Sequence, residues 1–306
     1  MYISNVVNVT KPYSYLNFLI DCANLSKKYG ENISVTHTGF SEYGRRLIMI
    51  RIGTGDKKLL FTGTNHARDH ITCSYLMKMC DEYLAYLDKP TYSIPFNIRE
   101  ILNRCRIYII PMVNPDGLEI SQNIKPNSNI VHMLRSHDIK EWKANARGVD
   151  LSMHFPCLWD ELKSQPSPGF EGYKGNAPGV QREAVALMSL CRREKFDLSV
   201  SFYAKGEQIY FADALTQNKI RNAGIIARKC SQLTGYQMMP PQEDPQTYAG
   251  SFESWFRQEF EKIALSIKIA PNNSSGTPGD IAKFDDQIWP RCRYLGLLLA
   301  EQAIFL

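Results

Sequence analysis

A chain of 306 residues that is 44% hydrophobic and 22% charged carries enough apolar material for a substantial core and sits in the ordinary globular range. Its net charge of +5 is scattered, and Arg45-Arg46 and Arg192-Arg193 are too short to make a nucleic-acid footprint, so nucleic acid is excluded as a partner. No apolar run reaches the ~18 residues that span a bilayer, and the N-terminus lacks a leader's charged start and apolar core, so the expectation is a cytoplasmic protein with no membrane partner.

In chain order, Tyr13 to Tyr29 reads as an amphipathic helix with Leu16, Phe18, Leu19, Cys22 and Leu25 on its apolar side. A polar, hairpin-like region follows around Gly44-Arg45-Arg46, leading into the strand Leu47 to Ile52. Lys58 to Thr62 is a buried strand and Ile71 to Leu87 the next helix. Arg106 to Val113 is a near-continuous apolar strand, stopped by the turn Asn114-Pro115-Asp116-Gly117. A helix over 181–194, a strand from Asp197 to Phe202, a Pro-rich stretch at 240–245 and a helix over 250–260 come next. Ile263 to Ile269 is a short strand, Asn272 to Gly276 a loop, and the chain closes on a helix over 289–303. The eight cysteines are dispersed without a CxxC pair, which fits free buried thiols rather than a disulfide framework. Cys73, the one nearest His66 in sequence, reads as a small core residue on an apolar helix face.

Strands alternating with helices predict one α/β domain over residues 1–306, with a mostly parallel or mixed twisted sheet and helices on both faces. In such sheets chemistry collects beyond the carboxyl ends of the strands. His66, Asn114 and Tyr203 fall just after strand ends, and Lys268 near the end of its own strand. His66 and Asp69, three residues apart at the expected start of a helix, share a face. A nitrogen and a carboxylate oxygen are two of the three protein ligands of a catalytic zinc site.

Five ordered segments carry a family resemblance: Asn65 to Arg68, Pro111 to Gly117, Trp142 to Leu151 with Phe155-Pro156 and Trp159, Gly206 to Tyr210, and Tyr248 to Phe252 with Trp255-Phe256. Together they resemble the M14 zinc carboxypeptidases, in particular the bacterial branch that cleaves γ-D-glutamyl–diamino acid bonds in cell-wall peptides. The resemblance implies that fold, zinc as the cofactor, and a metal site at His66, Asp69 and Tyr203.

At each working position this chain departs from the family pattern. His66-Ala67-Arg68-Asp69 stands where the family has His-x-x-Glu, and Ser201-Phe202-Tyr203 where it has Ser-Phe-His. A phenol, with a reference pKa of about 10, is a poor zinc ligand unless the metal deprotonates it. Ser266-Ile267-Lys268 replaces the Thr-Ile-Glu that supplies the family's general base. An ammonium about 4 Å from a dication is repelled by about 8 kcal/mol at an effective dielectric of about 20. Lys268, at the catalytic position, is therefore not expected to act as a base. After Gly148-Val149-Asp150-Leu151 the family's asparagine and carboxylate-clamping arginine become Ser152 and Met153, leaving Lys143 and Arg147 as candidate anion contacts. His70, beside Asp69, and His154, near the missing clamp, are candidate substitute ligands.

The reading that joins these substitutions puts the Lys268 ammonium at the metal position, paired with Asp69, with Tyr203 donating a hydrogen bond. Zinc would then be absent or weakly bound. The expected function is a pseudoenzyme that binds a peptide, one from the cell wall, or a protein partner. Two alternatives stay open: an active metallopeptidase with a His66/Asp69/Tyr203 site, and a structural or interaction protein whose pocket is empty.

Overall fold

Leu59 and Phe61 join one apolar cluster and Leu60, between them, joins another, although all three are fully buried. Ile107 and Ile109 divide from Tyr108 and Ile110 in the same way. Successive side chains of a strand point to opposite faces, so strands that read as unbroken apolar runs belong to a sheet covered on both sides. The computed structural model describes residues 6–88, 94–123, 127–217, 220, 222–271 and 278–306.

The first half of the chain forms α1 (Tyr15–Tyr29), β1 (Ile33–Phe40), β2 (Arg46–Ile52), β3 (Lys57–Thr62), α2 (His70–Asp88), α3 (Ile98–Arg104), β4 (Cys105–Ile110), α4 (Pro115–Ser121) and α5 (Ser128–Leu134). The second half forms α6 (Arg182–Glu194), β5 (Leu198–Lys205), β6 (Gln208–Tyr210), α7 (Ala223–Thr234), β7 (Gln237–Met238), α8 (Pro245–Tyr248), α9 (Phe252–Phe260), β8 (Ile263–Ala270), α10 (Trp289–Cys292) and α11 (Leu295–Ala303). The strands make one eight-stranded mixed sheet in the order β1-β2-β4-β3-β5-β8-β6-β7. Its middle, β4-β3-β5-β8, is parallel; β2 and β6 join it antiparallel, and β1 pairs antiparallel with β2 at the edge. Side chains of α1, α2, α3, α7 and α11 pack in the cluster on one face, and those of α6 and α9 in the cluster on the other. The mixed sheet and its two helical layers agree with the fold the sequence predicts.

Three local readings change. The strand expected to run to Val113 ends at Ile110, because Pro111 has no N–H to continue a ladder. Asn114-Pro115-Asp116-Gly117 is the start of α4 rather than an open turn: the Asn114 side chain accepts from the Gly117 N–H at 3.0 Å, and Pro115 takes the first helical position. The closing helix is broken between Cys292 and Leu295. Tyr83 explains the break, since its hydroxyl donates to the Arg293 carbonyl at 2.9 Å and accepts from the Leu297 N–H at 3.2 Å. A side chain has entered the ladder where one i to i−4 bond would form. The loop expected over 272–276 lies outside the described residues.

Candidate functional site

Beyond β3 the chain is held against the segment after β4. Gly63 N–H donates to the Ile110 carbonyl, Val113 N–H to the Gly63 carbonyl and Asn114 N–H to the Thr64 carbonyl, each at 3.0 Å. Thr64 takes φ = +49°, which a β-branched residue adopts only at a cost. Its N–H donates to Thr72 Oγ1 at 2.7 Å, and that hydroxyl donates to the Asp69 carbonyl at 2.7 Å. The strained turn therefore fixes the His66–Asp69 loop from both ends.

His66 and Asp69 do converge, on that loop rather than on the helix, which starts at His70. His66 Nδ1 lies 3.2 Å from Asp69 Oδ2, and the same oxygen accepts from the Ala204 N–H at 3.1 Å. Burial and the neighbouring Lys143 charge hold the His66 imidazole below its usual pKa, against the opposing pull of Asp69. Burial pushes Asp69 upward, yet His66, the Ala204 N–H and Arg68 outweigh it and keep the carboxyl below its ordinary value. A neutral imidazole donating from Nδ1 to a carboxylate satisfies both groups.

Tyr203, two residues before the end of β5, sets its ring centre 4.8 Å from that of His66 at a tilt of 47° and turns its hydroxyl away to donate to Glu253 Oε1 at 3.0 Å. Burial first, then Glu253 and Asp69, raise the phenol well above its ordinary pKa, so it stands as a neutral donor. Lys143 Nζ pairs with Asp150 Oδ2 at 2.9 Å. Burial raises Asp150, but Lys143, His66 and Ser152 together hold its carboxyl well below the usual range. Asp150 also accepts from Ser152 Oγ at 2.7 Å and from the Gly172 N–H at 3.1 Å, so the pair rests on an ordered turn.

Lys268 is not paired with Asp69. The expected contact is replaced by two others: its ammonium donates to Tyr210 Oη at 3.4 Å and lies 4.9 Å from the centre of the Tyr210 ring. Gly206 makes room for this placement, because a Cβ there would stand 2.6 Å from Lys268 Cδ and 3.0 Å from Lys268 Cβ. The cation near His66 is Lys143.

A cavity of about 440 Å³ joins these groups. His66, Lys143, Ser152, Met153, Tyr203 and Lys268 all line it, so the structure brings together most of the residues singled out in the sequence. Arg147 is elsewhere: its guanidinium Nε donates to Glu42 at 2.6 Å on an exposed edge. His70 and His154 are also spoken for. His70 sits between Ser121 Oγ and Gln122 Nε2, and burial lowers its pKa to about 4. His154 Nδ1 meets the Lys174 carbonyl at 2.8 Å, and its Nε2 accepts from the Gln181 N–H at 3.0 Å. Glu253, Tyr210 and Asp150 are site residues that the sequence reading did not single out, although each stands in or beside a segment that carries the resemblance.

The donor chemistry around His66 offers two groups that point at each other and a phenol that points elsewhere. Among the described residues no set of three or more His, Cys, Asp or Glu side chains is arranged to hold a metal ion.

The sequence profile of the zinc carboxypeptidases, peptidase M14, matches residues 20–284. The chain belongs to that family. Among its relatives, the γ-D-glutamyl-L-diamino acid endopeptidase 1 of Lysinibacillus sphaericus is 28% identical over 289 residues, covering 92% of this chain and 70% of the relative. The uncharacterised protein YqgT of Bacillus subtilis is 26% identical over 247 residues, or 78% of this chain, which spans only 65% of that relative's length. The structure of bovine thrombin-activatable fibrinolysis inhibitor in complex with tick carboxypeptidase inhibitor has a TM-score of 0.74 and 14% identity, with 97% of this chain and 99% of that one covered. At that identity the likeness is one of fold, and it places the chain on the zinc carboxypeptidase architecture. Among the described residues no helix is long and apolar enough to cross a membrane.

Proposed function

We propose that this M14 chain binds a peptide in the His66–Lys268 cavity without zinc-dependent hydrolysis, and that the peptide is of the cell-wall γ-D-glutamyl–diamino acid class. The observation that carries the first part is the state of Tyr203. At the position where the family resemblance implies a third zinc ligand stands a phenol whose hydroxyl is engaged with Glu253. Zinc at His66 and Asp69 would find two protein donors but no third, since the Tyr203 hydroxyl is engaged with Glu253, and it would have the Lys143 ammonium as a neighbour. These residues do not fit the ion.

Support for the peptide class comes from the γ-D-glutamyl-L-diamino acid endopeptidase similarity, which runs over 92% of this chain. A protein partner and an empty pocket remain the competing outcomes. The test is elemental analysis of purified protein, together with incubation and calorimetry using L-alanyl-γ-D-glutamyl-meso-diaminopimelate. Sub-stoichiometric zinc, an intact peptide and measurable binding are expected. One zinc per chain with hydrolysis abolished by His66→Ala would establish the active metallopeptidase instead.

A further inference from the structure

Among the described residues, two of the three Lys and Arg side chains lining the cavity are already neutralised by buried carboxylates. Lys143 pairs with Asp150 at 2.9 Å, and Arg257 Nη2 pairs with Asp213 Oδ2 at 2.7 Å. Lys268 differs. It rests against the hydroxyl and the ring of Tyr210, and among the described residues no carboxylate pairs with it. Glu253, the carboxylate on the cavity wall, accepts the Tyr203 proton instead.

The fold holds Lys268 in this position. In β8, Leu265, Ile267 and Ile269 enter the apolar cluster on one face of the sheet. Ser266 and Lys268 alternate with them, so they point the other way, and both line the cavity. Lys268 is in register with Tyr203 of β5 on one side and with Gln208 of β6 on the other. Its stem packs against Gly206, where no side chain competes for the space. An ammonium fixed by its own strand and stem, half-buried and without a counter-ion among the described residues, is ready for an anion from outside the chain. A charge-assisted hydrogen bond is stronger than a neutral one, and an aromatic face does not satisfy an ammonium's three donors.

We propose that Lys268 is the anion anchor of the cavity and takes a carboxylate of the bound peptide. In this chain the residue at the general-base position would select the ligand by charge. The inference rests on reading the cavity as a peptide site, and it can fail independently of the cell-wall assignment.

The experiment measures binding of N-acetyl-L-alanyl-D-glutamate and of its diamide to the full chain by ligand-observed NMR and calorimetry. Wild type, Lys268→Gln and Lys268→Arg are compared. Wild type is expected to prefer the free acid by about tenfold or more. Lys268→Arg should keep that preference and Lys268→Gln should lose it. No acid preference in wild type overturns the proposal without recourse to any variant, and so does a preference that survives in folded Lys268→Gln. If the acid preference behaves as expected while L-alanyl-γ-D-glutamyl-meso-diaminopimelate does not bind, the cell-wall assignment fails and the anchor stands.

Discussion

Tyr203 donates its hydroxyl to Glu253 Oε1 across 3.0 Å, tying the end of β5 to the first turn of α9 on the wall of the cavity. The bond links residues fifty apart in sequence and spends the proton that a phenolate ligand would have to lose. Tyr203→Phe removes the donor and leaves Glu253, only 5% exposed, without it. A buried group stripped of its partner costs about 1–3 kcal/mol, and more when it is charged. Urea denaturation should show a loss in that range. Glu253→Gln, which can still accept from Tyr203, should cost less. Equal stability of Tyr203→Phe and wild type would mean that the bond contributes nothing.

Glu183 gives the molecule a pH dependence that the cavity does not explain. Burial is the main cause that raises its pKa to about 7, against the Glu42 N–H and Asn145 amide that favour the anion. A carboxyl whose folded pKa exceeds its unfolded value binds more protons when folded. Its contribution is complete below about 4.3 and disappears as pH rises through about 7. Glu183→Gln is fixed in the neutral form, at a constant cost where its new amide faces that of Asn145. The variant's melting temperature relative to wild type should therefore rise between pH 5 and pH 8. A difference that is flat across that range would refute the assignment.

The parity of β3 and β4 was legible because every second residue is apolar on both faces, and only a doubly covered sheet demands that. The site was locatable for a related reason: His66, Tyr203 and Lys268 sit at ends of neighbouring strands, and the register sets Tyr203 directly beside Lys268. What local pattern could not supply was direction. Whether Lys268 reaches Asp69 or Tyr210 depends on the space beside Gly206 and on a neighbouring strand some sixty residues away in sequence. Glu253 was hidden for the same reason, since its partner lies on a different element.

The break before α11 was likewise invisible in the sequence, because its cause sits on α2. Tyr83, 1% exposed, bridges the Arg293 carbonyl and the Leu297 N–H. Tyr83→Phe leaves both backbone groups without that bridge. The expected loss is about 1–3 kcal/mol, read by chemical denaturation. If α10 and α11 instead closed into one helix and repaired the ladder, the loss would vanish and far-ultraviolet dichroism would gain helix.

Asp150→Asn tests the ion pair beside His66. Asp150 Oδ2 meets Lys143 Nζ at 2.9 Å and the Gly172 N–H at 3.1 Å, while Oδ1 accepts from Ser152. An asparagine can keep the Ser152 bonds through its oxygen, but its amide then presents hydrogens to an ammonium and to a backbone donor. Removing one partner of a buried pair costs about 3–5 kcal/mol; Lys143 keeps 18% of its side chain in solvent, so the loss at pH 7 should lie near or below about 3 kcal/mol. Burial alone would raise the Asp150 pKa, and Lys143 is the largest of the influences that lower it instead. A depressed folded pKa gives stability above the unfolded value of about 3.9 that is lost as pH falls below it. The gap between wild type and Asp150→Asn in urea should therefore be widest near neutrality and narrow below pH ~4. A gap that keeps its width at low pH would mean that geometry, rather than charge, holds Lys143 in place.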